Sequence, residues 1–67
     1  MKRNLLIKFR GNINQTEMAT KYGVSQQLWS CWENGTSTPL PHIMKRLEDD
    51  SRIPMEEMFP DAFQKRR

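Results

Sequence analysis

Ser25, Gln26, Gln27, Ser30 and Cys31 place five polar or thiol side chains within seven consecutive positions of this 67-residue chain. At about 100° per residue of helix, Gln26, Ser30, Gln27 and Cys31 share one continuous arc, and Leu28, Trp29 and Trp32 take the opposite one. A helix carrying them turns amides and small polar groups outward and a large apolar arc inward. Such an outer face fits a DNA major groove. Cys31 lacks a second thiol to pair with, so its place on this face reads as contact rather than redox chemistry. Catalysis finds little material. The one histidine, His42, stands at a helix start without a partner; no nucleophile has a base, and no phosphate-binding glycine loop is present. The expectation is a chain that is not an enzyme, with no metal, cofactor or small-molecule ligand.

The elements that must position this face are written in the apolar spacing. Met18, Tyr22, Val24, Trp29 and Trp32 follow Gln15 by three, seven, nine, fourteen and seventeen residues, with Ala19 and Gly23 among them, the signature of a helix-turn-helix. Asn14 is a good N-cap, and Glu17 three residues later completes a capping box, so a helix is predicted from Gln15. It carries Met18, Ala19 and Tyr22 inward and stops at Gly23, where the lack of a β-carbon admits a left-handed turn. Ser25 caps the next helix, predicted over 26–33, with Leu28, Trp29 and Trp32 inward; each tryptophan can supply ~200 Å² of apolar contact. Asn34-Gly35 closes it.

On either side the pattern is also helical. Residues 2–10 put Leu5, Leu6 and Phe9 on one face, ended by Gly11-Asn12. Residues 36–39 read as a loop, Pro41 as an early residue of a fourth helix, and Ile43, Met44 and Leu47 as its inner stripe. Glu48-Asp49-Asp50 reads as a solvated surface and Ser51-Arg52 as a break. A short last helix brings Met55, Met58 and Phe59 to the bottom of the core. Residues 1–59 thus form one domain, and residues 60–67 a flexible tail anchored by Phe63.

Size and charge bound the rest. A domain this small buries only about 60% of the surface its unfolded chain exposes, which leaves little room for a deep pocket. A single cysteine excludes an internal disulfide and suits a reducing cytosol. The longest apolar run, Leu5-Leu6-Ile7, falls far short of the ~20 residues of a membrane span, and no secretory signal is expected. Residues 1–47 carry seven basic and two acidic side chains, a net of +5; residues 48–64 carry one basic and six acidic, a net of −5. Basic character therefore lies with the helix-turn-helix. Lys2, Arg3, Lys8 and Arg10 are open to phosphate contact or to plain solvation, as are Lys45 and Arg46.

Taken together, Ile13-Asn14-Gln15, Met18-Ala19, Gly23-Val24-Ser25, Trp32-Glu33-Asn34-Gly35, Pro39 and residues 53–59 make a specific set that spans nearly the whole chain. In these the chain resembles the Cro and phage-repressor type of helix-turn-helix regulators, the XRE-like group. The resemblance implies an all-α fold, a compact five-helix lambda-repressor-like domain. It further implies a cytoplasmic, nucleoid-associated transcriptional repressor that binds double-stranded operator DNA as a homodimer on two half-sites. By the same likeness Gln26 and Gln27 match base-reading positions, where an amide can both accept from and donate to an adenine edge. Ser30 and Cys31 match later groove-facing positions. Gln15 matches a phosphate-contacting residue that braces the first glutamine of the recognition helix, and Ser25, Asn34, Thr36 and Thr38 match phosphate contacts that fix register.

The chain departs from the pattern in three places. Thr36-Ser37-Thr38 stands where many members have lysine or arginine, Trp29 where isoleucine is commoner, and Ser51 where leucine is. No coiled coil follows Phe59, so the homodimer is expected to be weak or induced by DNA. The alternative from a different class is a non-catalytic protein-interaction module, antitoxin-like or regulator-binding, with Leu28 and Phe63 as anchors.

Overall fold

The computed structural model describes residues 2–63. They form five helices and, among the described residues, no strand: α1 Asn4–Arg10, α2 Gln15–Lys21, α3 Gln26–Asn34, α4 Pro41–Ser51 and α5 Met55–Met58. Local chemistry sets the ends. Asn14 Oδ1 accepts from the Glu17 amide at 2.8 Å, and Ser25 Oγ from the Leu28 amide at 3.1 Å, so both expected N-caps are formed. Between them Gly23 takes φ 71°, the left-handed turn that sets α3 across α2. Gly35, at φ 81°, ends α3 with its amide on Cys31 O. Arg52 does the same for α4 at φ 64°, the one non-glycine residue with positive φ among those described.

The core lies where α2 and α3 face each other, closed by α1, α4 and α5. Trp29 is wholly buried at its centre, with its ring centroid 5.7 Å from that of Tyr22 and 5.5 Å from that of Trp32. Leu6, Met18, Ala19, Met44, Leu47, Met58 and Phe59 complete it. Leu28 corrects the expected inner arc, since it is 37% exposed. Trp29, Trp32 and Glu33 form the i, i+3, i+4 stripe that faces the core, and Leu28, one step of about 100° before Trp29, falls at its edge. Cap chemistry on α2 carries a modest share of stability: Asn14→Ala is expected to cost about 1 kcal/mol in urea unfolding, with an unchanged denaturant slope.

The two ends of the described chain are joined. The first helix begins at Asn4 rather than residue 2, because Arg3 is drawn inward, its amide donating to Glu33 O at 2.8 Å and the residue only 1% exposed. Its guanidinium pairs with Asp61 at 2.8 Å. Asp61 therefore anchors the segment after α5, and Phe63, the expected anchor, stays 38% exposed. Residues 64–67 of the expected tail lie outside the described residues. The acidic run of α4 lies at the surface as expected, Asp49 and Asp50 exposed and Glu48 half-buried, and two of its carboxylates also find partners: Asp50 accepts from the Tyr22 hydroxyl at 2.6 Å, and Glu48 from the Met55 amide at 3.2 Å. No helix among the described residues is long and apolar enough to cross a membrane.

Candidate nucleic-acid interface

A polar chain starts in the core and ends on the outer face of α3. Glu33 is 2% exposed, a carboxylate on the buried stripe of its helix. Arg10 donates to it from Nε at 2.5 Å and from Nη2 at 3.2 Å, Trp29 Nε1 at 2.7 Å, and Gln15 Nε2 at 2.8 Å. An ionised carboxylate offers about four lone-pair sites, and all are taken. Burial pushes the Glu33 carboxyl up, but the hydrogen bonds from Arg10, Gln15 and Trp29, with the Arg10 charge, outweigh it and hold the pKa below its ordinary 4.5.

The carboxylate dictates how the amides beyond it face. Glu33 can only accept, so Gln15 must turn its nitrogen inward and its oxygen outward. That oxygen accepts from Gln26 Nε2 at 2.6 Å. Gln26 is exposed at the start of α3, and the bond to Gln15 leaves it one N–H and the lone pairs of Oε1. The expected brace of Gln26 by Gln15 is thus formed. Gln27 lies beside it, exposed and bonded to no other described residue through its side chain.

The hydroxyls sort by what they have left to give. Ser25 Oγ accepts from Leu28 N, and Ser30 Oγ accepts from Asn34 Nδ2 over a long 3.4 Å, so each keeps its proton as a donor. Thr38 Oγ1 accepts from Arg3 Nη2 at 3.1 Å and likewise keeps its proton. Thr36 is the reverse case. Its hydroxyl donates to Cys31 O at 3.3 Å. Ser25, Asn34, Thr36 and Thr38 are exposed, and Gln15, Ser30 and Cys31 half-buried. All nine expected contact residues thus sit along α3 and its two flanks.

The basic residues divide more sharply than the sequence suggests. Arg3 is buried, Arg10 is committed to Glu33, and Arg46 donates to Lys21 O at 2.8 Å with its guanidinium 4.6 Å from the Tyr22 ring centroid. Lys45 lies 3.9 Å from Glu48 and 3.4 Å from Asp49. Lys2, Lys8 and Lys21 are exposed and make no ion pair among the described residues. Arg3 and Arg10 are therefore structural groups, correcting the reading that left them open to phosphate or solvent. Sequence reasoning missed Glu33 as the hub. Its signal is Trp29 four residues earlier, whose indole N–H needs an acceptor when buried.

Models of known protein families, curated proteins and solved structures gave no match to this chain.

Proposed function

We propose that the chain is a lambda-repressor-like helix-turn-helix protein that binds double-stranded DNA by sequence, with α3 in the major groove, and so represses transcription. The observation that carries this reading is the Glu33–Gln15–Gln26 chain, which holds an exposed amide in one orientation from a buried charge. Holding a long polar side chain still costs conformational entropy of about 1–2 kcal/mol, and a merely solvated glutamine gains nothing from it. Against a base the arrangement is useful. The N–H and oxygen left on Gln26 complement N7 and the N6 amino group of adenine. Gln27, Ser30 and Cys31 continue the same face along the groove.

Backbone contacts fall to the hydroxyls that keep a proton, Ser25 and Thr38, with Asn34, because phosphate oxygens only accept, while Gln15, its nitrogen held by Glu33, serves as the brace of Gln26. With Arg3 and Arg10 committed inside the fold, affinity rests less on charge and its salt dependence is shallow. A domain this small reads few base pairs, so two copies on adjacent half-sites, a homodimer formed on the DNA, supply the specificity. The cytoplasm, on the nucleoid, is the compartment that fits this role. Amide chemical-shift mapping on addition of duplex DNA tests it. Shifts are expected to cluster on Gln15 and residues 25–38, and shifts confined to α4 and α5 would overturn the assignment.

One observation favours a second reading. Leu28, Leu40 and Phe63 are 37%, 62% and 38% exposed, apolar side chains that a protein partner could cover in an interaction module of the antitoxin kind. Under that reading the same mapping experiment moves these three residues when the partner is added and leaves Gln26 unmoved by DNA.

A further inference from the structure

Arg3 uses every donor it has. A guanidinium carries five N–H groups, and here Nε and Nη2 donate to Asp61, Nη1 to Trp32 O at 2.8 Å and Ser37 O at 2.6 Å, and Nη2 also to Thr38 Oγ1. Its Cζ lies 5.0 Å from the Phe59 ring centroid. One buried cation thus ties the end of α3 and the segment before α4 to the residues that follow α5. Asp61 fixes the plane of that fork by taking two of the five donors, at 3.0 and 2.8 Å.

The bond to Thr38 has a direction. Arginine cannot accept, so the Thr38 oxygen is the acceptor and the hydroxyl proton must point to something else. Thr38 is exposed, and what lies outward is solvent or a ligand that accepts. Thr36, two residues away, has its proton turned onto Cys31 O and lacks this polarity.

We propose that Arg3 and Asp61 are positioning residues for DNA-backbone binding: the Arg3–Asp61 pair aims the Thr38 hydroxyl as a phosphate donor, so the segment after α5 governs grip at the far end of α3. This rests on the DNA-binding reading above. Phosphate suits the site because its oxygens only accept, and a neutral donor held by a buried cation contributes to register without an exposed charge. Lysine at position 3 would not serve, since an ammonium lacks the planar fork that meets a carboxylate, two carbonyls and a hydroxyl at once.

The test is a double-mutant cycle on duplex affinity in the full chain, each value taken at the same folded fraction, with a preferred and a scrambled duplex. Thr38→Val is expected to weaken both duplexes by about three- to tenfold, the scale of one hydrogen bond, and Thr38→Ser to restore affinity. Asp61→Asn is expected to lose a similar factor, Asp61→Glu to regain most of it, and Asp61→Asn to add nothing in the Thr38→Val background. Base preference stays unchanged throughout. Multiplying losses in the double variant, or full affinity in Thr38→Val, overturns the proposal, and the Thr38 pair decides even if Asp61→Asn fails to fold. A wild-type chain that binds no duplex sinks the DNA reading and this proposal with it. A wild-type chain that binds selectively while both single variants match it sinks this proposal alone.

Discussion

Glu33→Ala is expected to lower stability by about 3–5 kcal/mol, the cost of breaking a buried ion pair from one side. The glutamate side chain is 3% exposed and serves four donors, so truncation leaves the Arg10 charge, the Trp29 indole N–H and the Gln15 amide without their acceptor at once. A domain of this length is stable by roughly 3–10 kcal/mol in all, from about 0.05–0.15 kcal/mol per residue. The variant should therefore be unfolded in good part at 25 °C, as read by a urea transition moved toward zero denaturant. Glu33→Gln keeps the shape and some acceptors but loses the charge, and falls between. A loss below about 1 kcal/mol in Glu33→Ala would remove Glu33 as the hub.

The same group gives the fold an acid limb. Because the folded pKa lies below the ordinary 4.5, the contribution of Glu33 is fully present above that value and is lost as pH falls through the folded pKa. Asp61 acts in the same sense, its carboxyl held below 3.8 first by the hydrogen bond from Arg3. Stability of the wild type should decline as pH drops below about 4.5, and Glu33→Gln should flatten that decline.

Gln26→Ala separates reading from folding. Its side chain is exposed and bonded only to Gln15, so stability should change by less than about 0.5 kcal/mol. Binding should lose preference at a single base pair, by about 1–3 kcal/mol between the best base and the others. Gln15→Ala acts differently. It removes the acceptor that holds Gln26 and one donor to Glu33, so binding should weaken more evenly across sequences while the Gln26 rotamer loosens. If Gln26→Ala instead weakened every duplex equally, Gln26 would be a positioning residue, and base reading would have to lie with Gln27 or Ser30.

What could be foreseen from the sequence was what acts locally. Asn14 and Ser25 cap because a short polar side chain reaches an amide three residues on, and Gly23 and Gly35 end helices because of their own backbone freedom, so residue type and position suffice. Trp29 and Trp32 point inward by a three-residue spacing. The Gln15–Gln26 brace spans eleven residues and came from resemblance, not from spacing. The buried charges were hidden for a physical reason. Arg3 meets Asp61 across 58 residues and Arg10 meets Glu33 across 23, so only the folded chain brings each charge to the partner that makes its burial tolerable. Without that knowledge both arginines read as surface cations. Leu28 misled through a different route: on a nine-residue helix the apolar arc has two edges, and the core took the one that Glu33 occupies.

Selection of bound sequences from a random duplex pool at moderate salt tests the central claim most directly, with wild type and Gln26→Ala run side by side. Wild type should enrich one consensus containing an adenine whose preference disappears in the variant while the rest persists. A wild-type pool that stays random after repeated rounds would contradict base reading by α3.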